Sequence, residues 1–318
     1  MTARGHILVV GAGAWGTALA VHCARAGHRV TLWARTAGPI AATRQSPRLP
    51  GVTLPDAVTV TDTVPSAADA VLLVTPVQHL RAALGLGLPA APWVLCMKGL
   101  EAGTHLFPME IVRTVHPAAD CAVLTGPNFA HEIAAGLPAA AVLASTDLAL
   151  RRRLTGLLGT RHFRLYGSAD PVGAQVGGAA KNVIAIAAGV AIGARLGENA
   201  RAALVTRGLA EIARLAVALG GRAQTVSGLS GMGDLMLTCA GTASRNYRLG
   251  LAIGGGAEPQ AALAAMNAAV EGVMAAPALL TRSAGDSPVI HAVARLLAGQ
   301  DDVATAMETL LARPGREE

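Results

Sequence analysis

The stretch HILVVGAGAWGTALA at residues 6–20 decides the fold of this chain. Its first five residues form a compact apolar run, typical of a buried strand, and the glycines that follow open a helix. Gly11 permits a tight turn, Gly13 lets a ligand approach the backbone, and Gly16 allows the helix to pack closely on the strand. This order predicts a dinucleotide-binding unit in which the N-terminus of the helix faces a pyrophosphate.

Further apolar runs alternate with helical segments through the first half of the chain. The other predicted strands are residues 29–33, 70–74, 93–97, 121–125, 139–144 and 162–166. Strands that alternate with helices form a mostly parallel sheet covered on both faces. From Pro171 onward the pattern is long, Ala- and Leu-rich and helical. We therefore expect an α/β protein with a Rossmann-type doubly wound parallel sheet over residues 1–169. An all-helical, substrate-binding C-terminal domain follows over residues 170–318.

Composition narrows the classes of partner. The 318 residues carry a formal charge of +6, without a basic stripe interleaved with aromatics, so nucleic-acid binding is not indicated. The four cysteines are widely separated: Cys23, Cys96, Cys121 and Cys239. This spacing predicts free thiols in a reducing, cytoplasmic setting and no metal site.

One apolar stretch needs a separate explanation. Lys181 stands at what reads as the polar beginning of an apolar helix, and Gly189 and Gly193 interrupt the run that follows. The run is read as too short for a bilayer span, and no membrane insertion is expected. The long, apolar second half, which is short of charge, predicts a homodimer.

The end of the second predicted strand bears on the choice of cofactor. An acidic residue there would bind the ribose 2′-hydroxyl of NAD. This chain reads TLWART at residues 31–36, with Arg35 and no acid nearby. A guanidinium suits a 2′-phosphate, so we expect NADP(H) to be preferred over NAD(H). Alternatively, Arg35 is a solvated surface residue that tolerates either cofactor.

Lysine usage points to a chemical site. Of 26 basic residues only Lys98 and Lys181 are lysines. Arginine does not give up its proton in a protein, whereas a buried lysine can. Lys98 follows the predicted strand at 93–97, at the carboxyl edge where α/β sheets bind ligands. Taken singly, each is also compatible with a lysine whose stem is buried and whose ammonium reaches water.

A polar cluster in the second half suits a phosphorylated substrate. Asp234 lies at a predicted loop-to-helix junction, four residues before Thr238 on the same helical face. Ser244, Arg245 and Asn246 offer a hydroxyl, a guanidinium and an amide in a row, a set that suits a phosphate. The alternatives are that Asp234 is a helix N-cap and that Arg245 forms a surface salt bridge.

Eight sequence motifs follow one another along nearly the whole chain. They are GAGAWGTALA (11–20), KGLE (98–101), GPNFAHEI (126–133), GGAAKNVIAIAAGVAIG (177–193), LGENARAALVTRGLAEIARL (196–215), GLSGMGDLMLTC (228–239), SRNYRLG (244–250) and VEG (270–272). In these motifs the chain resembles the bacterial NAD(P)-dependent glycerol-3-phosphate dehydrogenase family. The resemblance implies reversible reduction of dihydroxyacetone phosphate to sn-glycerol 3-phosphate with hydride from NAD(P)H, which supplies phospholipid synthesis.

The resemblance also implies roles for individual residues. Lys181 is the proton donor and acceptor. The implied substrate contacts are Lys98, Gly126, Asn128, Lys181, Asp234, Ser244, Arg245 and Asn246. The implied cofactor contacts are Gly11, Gly13, Ala14, Trp15, Gly16, Arg35, Thr36, Lys98, Ala130, Arg245, Ala269 and Glu271. At residue 128 the family usually has a hydroxyl, so the amide here puts that contact in question.

Two other interpretations remain at this stage. One is a related β-hydroxyacid or 6-phosphogluconate-type dehydrogenase, which also pairs a Rossmann domain with a lysine on a helix but takes a carboxylate substrate. The other is a catalytically silent NAD(P)-binding sensor. The retention of both lysines, of Asp234 and of the SRN triplet favours the enzyme that acts on a triose phosphate.

Overall fold

The fingerprint stretch forms the strand and the helix that its pattern predicts, inside an eight-stranded sheet. The computed structural model describes residues 5–266, 269–283 and 287–311. The strands are β1 (His6–Val10), β2 (Arg29–Trp33), β3 (Val58–Thr61), β4 (Ala70–Leu73), β5 (Trp93–Leu95), β6 (Cys121–Thr125), β7 (Ala139–Ala144) and β8 (Phe163–Ser168). Their order across the sheet is β3-β2-β1-β4-β5-β6-β7-β8.

All neighbouring strands are parallel except β6 and β7, which run antiparallel. The predicted mostly parallel, doubly wound sheet is confirmed. Strand β3 was not predicted; its four residues, VTVT, pair only with β2 at the edge of the sheet. Strands β4 and β5 are shorter than predicted, because the apolar runs continue into the loops at the carboxyl edge.

The helices lie on both faces of this sheet and then make up the rest of the described chain. They are α1 (Ala14–Arg25), α2 (Gly38–Thr43), α3 (Leu80–Leu84), α4 (Pro108–Val115), α5 (Ala130–Ala135), α6 (Leu148–Leu158), α7 (Pro171–Gly193), α8 (Gly197–Ala218), α9 (Ala223–Val226), α10 (Asp234–Cys239), α11 (Arg245–Gly254), α12 (Pro259–Ala264), α13 (Glu271–Arg282), α14 (Pro288–Leu297) and α15 (Val303–Leu311). A 3₁₀ turn (Val77–His79) precedes α3, and a π-helical turn (Leu229–Gly233) precedes α10.

The long helix α7 is the centre of the helical half. The Asp170 carboxylate accepts a hydrogen bond from Gly173 N (2.8 Å) and caps its first turn. Its glycines permit close packing: a Cβ on Gly189 would lie 2.2 Å from the carbonyl oxygen of Tyr247 in α11. Helices that touch through backbone atoms bury nearly every position of α7, including Lys181.

Two expectations about α7 were wrong. The helix begins at Pro171, so Lys181 lies in its interior and not at its polar beginning. The helix has 23 residues, and its apolar 18-residue window has a mean hydropathy of 1.6, so by length and composition α7 could cross a membrane and the prediction that it is too short was wrong. In the structure 89% of this apolar window is buried inside the protein. Burial in the core thus accounts for the apolar composition of the helix.

Candidate active site

The carboxyl edge of the sheet and the middle of α7 bring both lysines to one carboxylate. Lys98 follows β5 and reaches Asp234, where its Nζ lies 2.5 Å from Oδ2. From α7, Lys181 donates to the other carboxylate oxygen, Oδ1, and to the hydroxyl of Thr238 at 2.9 Å. The ammonium of Lys98 also lies 3.4 Å from the carbonyl oxygen of Gly126, directly after β6. The chain's only two lysines therefore share one aspartate.

The local structure explains why Asp234 points at the lysines. The π-helical turn packs against α7, where a Cβ on Gly177 would lie 2.6 Å from the carbonyl oxygen of Ser230. The N-cap of α10 is Gly233, so Asp234 is not the N-cap and its carboxylate is free to bind both ammonium groups. One turn later Thr238 donates to the carbonyl oxygen of Asp234 (2.6 Å) and accepts from Lys181. Asp234 is 1% exposed, so this charge is desolvated.

The two lysines differ in their pKa values. Burial penalises the ammonium of Lys181 and outweighs the attraction of Asp234, and the nearby Lys98 cation acts with burial, so the pKa of Lys181 falls to about 8. Burial also opposes the charge on Lys98, but there the Asp234 carboxylate prevails and raises the pKa. The site thus holds one firmly charged lysine next to one that can exchange a proton near neutral pH.

A second hydrogen-bonded network lies beside the lysines. Asn182, next to Lys181 in α7, donates from Nδ2 to Glu271 Oε2 (3.0 Å). Its Oδ1 accepts from Asn246 Nδ2 (2.9 Å), and Asn246 Oδ1 in turn accepts from Gly272 N (2.9 Å). Both carboxamides are buried, and their partners fix which atom is oxygen and which is nitrogen. The predicted residues Asn246 and Glu271 are therefore joined through Asn182.

The three residues of the SRN triplet have different surroundings: Ser244 caps a helix, Arg245 is exposed and Asn246 is buried. The hydroxyl of Ser244 accepts from Tyr247 N (3.3 Å) and caps α11. Arg245 is exposed in the first turn, and within the described ranges no residue pairs with its guanidinium, so it forms no salt bridge there. Asn246 points into the buried network. A helix N-terminus with an unpaired arginine suits an anionic group.

The loop after β6 presents an acceptor without a donor. Asn128 donates from Nδ2 to the carbonyl oxygen of Ala140 (3.1 Å), which fixes the amide orientation. Its buried Oδ1 has no partner in the described part of the chain. Gly126, with φ at +151°, brings this loop so close to β7 that a Cβ would lie 2.9 Å from Ala141 Cα. A buried carbonyl of this kind favours a ligand that offers a hydroxyl donor.

The fingerprint loop fits a dinucleotide. Gly11 has φ at +118°, and a Cβ on Gly16 would lie 1.8 Å from the carbonyl oxygen of Gly11, so both positions require glycine. A Cβ on Gly13 would meet nothing within 4 Å, so the backbone at the start of α1 faces open space. The donors of that helix end are oriented for a pyrophosphate, and the described residues fit the expected cofactor.

The remaining predicted cofactor residues lie at other points of the same chain. Ala14 and Trp15 form the first turn of α1 and are partly exposed. Arg35 and Thr36 are exposed directly after β2, and Gly11 N donates to the carbonyl oxygen of the last residue of β2. Ala130 begins α5, and Ala269 is exposed just before α13. No hydrogen bond or ion pair joins these residues to the lysine cluster across the described ranges.

Sequence reasoning overlooked two residues of the site. Asn182 lies next to Lys181 in the KN pair, and Thr238 was placed on the face of Asp234 without being assigned a role. The spacing of four along α10 signals Thr238, whereas Asn182 is recognised only once its partners, 64 and 89 residues away, are known. In residues 5–266, 269–283 and 287–311 no group of three or more His, Cys, Asp or Glu could hold a metal ion.

A Rossmann sheet with a dinucleotide loop, and a lysine that can exchange a proton at its carboxyl edge, are features of the class of dinucleotide-dependent dehydrogenases. Sequence comparison gives the family. Residues 6–151 match the N-terminal part of NAD-dependent glycerol-3-phosphate dehydrogenase, and residues 170–308 match its C-terminal part. The chain belongs to the NAD-dependent glycerol-3-phosphate dehydrogenase family.

Individual relatives agree along the full length. The chain is 53% identical to glycerol-3-phosphate dehydrogenase [NAD(P)+] of Gluconobacter oxydans and 55% identical to the enzyme of that name from Acidiphilium cryptum, with 100% of each chain covered. A crystal structure of glycerol-3-phosphate dehydrogenase from Coxiella burnetii superposes with a TM-score of 0.91 at 34% identity. That match covers 98% of this chain and 99% of the other.

Proposed function

We propose that this chain catalyses the reversible reduction of dihydroxyacetone phosphate to sn-glycerol 3-phosphate with NAD(P)H. The observation that carries the proposal is the aspartate that binds one firmly charged lysine and one lysine with a pKa of about 8. Family membership and relatives named glycerol-3-phosphate dehydrogenase [NAD(P)+] support the choice of substrate. In the cell the product would supply phospholipid synthesis.

Lys181 performs the proton transfer in this proposal. When bound, the nicotinamide supplies or accepts the hydride. The ammonium of Lys181 donates a proton to the oxygen that becomes the C2 hydroxyl, and its neutral amine accepts that proton in the reverse direction. Lys98 keeps its charge and stabilises the developing negative charge on the same oxygen. Asp234 orients both amines, and Thr238 fixes the direction of Lys181.

The remaining substrate contacts divide by chemistry. We assign the phosphate to the N-terminus of α11, where Arg245 has no partner among the described residues and Ser244 and Asn246 flank it. The Oδ1 of Asn128, which no described residue binds, accepts from the C1 hydroxyl, close to Gly126. An amide oxygen accepts this bond as well as the hydroxyl usual in the family, so the departure at residue 128 preserves the contact. Positioning of this kind contributes a large part of a rate enhancement.

We assign the cofactor to the fingerprint loop and propose a preference for NADP(H). The loop residues Gly11, Gly13 and Gly16 would bind the pyrophosphate, with Ala14 and Trp15 beside it. Arg35 and Thr36 would meet the adenosine end, where an exposed guanidinium suits a 2′-phosphate. Ala130, Arg245, Ala269 and Glu271 would face the nicotinamide half. Dissociation constants for NADPH and NADH, measured on the wild type and on Arg35→Ala, test the preference. A loss confined to NADPH supports it, whereas equal losses contradict it.

The distribution of strands and helices, the cysteines and two exposed apolar residues bear on organisation and location. We propose two domains, residues 1–169 and 170–318, and a cytoplasmic protein in keeping with its four free cysteines. Exposed Leu196 and Val217 on the helical half are compatible with a homodimer. Light scattering would distinguish one chain of 32.0 kDa from two.

The decisive experiment follows nicotinamide absorbance with dihydroxyacetone phosphate, unphosphorylated dihydroxyacetone and a panel of β-hydroxyacids. We expect turnover of the phosphorylated ketone alone. Lys181→Arg should retain cofactor affinity and lose most of kcat, because an arginine does not release its proton. Turnover of a carboxylate substrate, or near-normal kcat in Lys181→Arg, would overturn the assignment. Binding of NADPH without turnover of any substrate would identify a silent sensor.

A further inference from the structure

The helix α13 ends on a contact that none of the chemistry above uses. Its last residue, Arg282, donates from Nη1 and Nη2 to the two oxygens of Glu110 at 2.9 and 2.8 Å. Nη1 also lies 3.2 Å from the carbonyl oxygen of His105, and the guanidinium stands 5.4 Å from the ring centroid of Phe107. One arginine of the helical half therefore binds three residues of the sheet half.

Two of the three residues bound by Arg282, His105 and Phe107, belong to the segment that follows Lys98, and the third, Glu110, lies in the first turn of α4. This segment, residues 99–107, connects Lys98 to α4. At its end the carboxylate of Glu110 accepts a hydrogen bond from Phe107 N (2.7 Å). Toward the sheet the segment is fixed by Arg81, which forms a paired bond with Glu101 (2.7 and 2.9 Å). Toward the helical half, Arg282 and Gln175 make the polar contacts at its end, Gln175 by accepting from Met109 N in α4 (2.9 Å). The buried side chains of Leu100 and Phe107 pack into the apolar core of the same half.

The other end of α13 lies in the site. There Gly272 N binds Asn246, and Glu271 binds Asn182, the neighbour of Lys181. A helix of 12 residues is about 18 Å long, and α13 contains Pro277 in its interior, which removes one helical hydrogen bond but leaves both ends joined by one continuous helix. The two ends of α13 thus tie the segment after Lys98 to the residues that flank Lys181.

We propose that Arg282 is a positioning residue, which acts through segment 99–107 to hold Lys98 against Asp234 and beside Lys181. The two lysines come from different halves of the chain, one following β5 and one on α7. Their separation therefore depends on how the halves are tied together. A planar guanidinium that binds both carboxylate oxygens sets distance and angle more strictly than a single ammonium could.

The direction of the effect follows from the charges that face Lys181. These are the Asp234 carboxylate of α10 and the cation of Lys98, while Glu271 of α13 acts on Lys98. The Cys239 thiol of α10 also faces Lys181 but is neutral, because burial raises its pKa to about 12. Lys98 opposes the charge on Lys181 and competes for the same carboxylate. If Lys98 withdraws, Lys181 keeps Asp234 to itself and its pKa rises.

The test compares Arg282→Met, which keeps the apolar stem, with Arg295→Met as the matched control. Arg295 forms the same paired bond, with Asp301 at 2.7 and 2.7 Å, but entirely within the helical half. Lysine labelled with ¹³C at Cε gives two signals to titrate, because the chain has two lysines. In Arg282→Met the pKa of Lys181 should rise by about half a unit or more. It should not change in Arg295→Met.

Kinetics give a second measurement that rests on the proposed function. The pH profile of kcat/KM for glycerol phosphate oxidation should shift to alkaline pH in Arg282→Met, with a loss of about ten-fold at neutral pH. Glu110→Gln should reproduce the shift, the double variant should add nothing, and Arg282→Lys should restore part of it.

The outcomes separate the two proposals. If the wild type does not turn over the triose phosphate, the proposed function fails. The lysine titration still tests whether Arg282 positions Lys98. If Arg282→Met lowers the thermal midpoint but leaves the pKa of Lys181 unchanged, Arg282 only joins the two halves and the positioning role is overturned.

Discussion

Replacing Asp234 by asparagine removes the one charge that binds both lysines while nearly preserving shape. The carboxylate is 1% exposed and binds Lys98 and Lys181 through separate oxygens. Removing one partner from a buried ion pair costs about 3–5 kcal/mol, because the other charge is left without compensation. With an unfolding entropy of about 2.1 cal/mol/K per residue, a chain of 318 residues loses about 1.5 °C per kcal/mol, so we expect the Tm of Asp234→Asn to fall by about 5–8 °C at pH 7.

The pH dependence of this deficit is the sharper measurement. Without Asp234 the pKa values of both buried lysines fall, so the folded variant binds fewer protons than the folded wild type near neutral pH. The unfolded chains still titrate their lysines near the ordinary value of 10.5. Stability rises with pH wherever the unfolded state binds more protons, so the deficit in Tm should shrink between about pH 7 and 10.

The assay is thermal unfolding of both proteins across that pH range, with Asp301→Asn as the control. Asp301 pairs with Arg295, which does not titrate, so the control should show a small deficit that does not vary with pH. A deficit in Asp234→Asn that is equally large at every pH would refute the reasoning. A Tm within about 1 °C of the wild type would do the same, since it would mean that the aspartate does not compensate the lysines.

Three further predictions follow from other contacts. Burial lowers the pKa of His22, so its imidazole is neutral in the folded protein, and the free energy of unfolding should fall as the pH drops below about 6.5. In urea unfolding measured at several pH values, His22→Gln should reduce this dependence on pH. Glu211 accepts hydrogen bonds from backbone N–H groups at the start of α14. Glu211→Gln should lower the free energy of unfolding in denaturant by about 1–3 kcal/mol, and a decrease under about 0.5 kcal/mol would contradict the capping role. Gly16→Ala would place a Cβ 1.8 Å from the oxygen of Gly11 and should weaken NADPH binding by more than about ten-fold in calorimetry, whereas Gly156→Ala, which meets nothing within 4 Å, should bind normally.

Prediction from the sequence worked best where neighbours in the chain are neighbours in space. The turn from β1 into α1 is set by glycines a few residues apart, so its pattern is visible in the sequence. The short edge strand β3 was missed, because four residues carry little periodicity and the strand exists through its pairing with β2. The position of Lys181 within α7 was predicted wrongly, because glycines and a glutamine give the ten residues before it a polar appearance, although nine of them are buried.

The site shows the same division more clearly. Because lysine is rare in this chain, Lys98 and Lys181 were predicted to be functional residues. The ordered motifs indicated the family. The bond from Lys98 to Asp234, however, joins residues 136 apart, and no periodicity encodes it. Asn182 acquires its partners only when α7, α11 and α13 pack together.

By itself, the sequence determined the alternation of strands and helices, the dinucleotide loop and the types of residue available for proton transfer, because these depend on local spacing and side-chain chemistry. Only the tertiary structure decided which lysine stays charged and which one exchanges a proton. That distinction arises from burial and from one carboxylate shared between two ammonium groups, and both are properties of packed surroundings that no single segment contains.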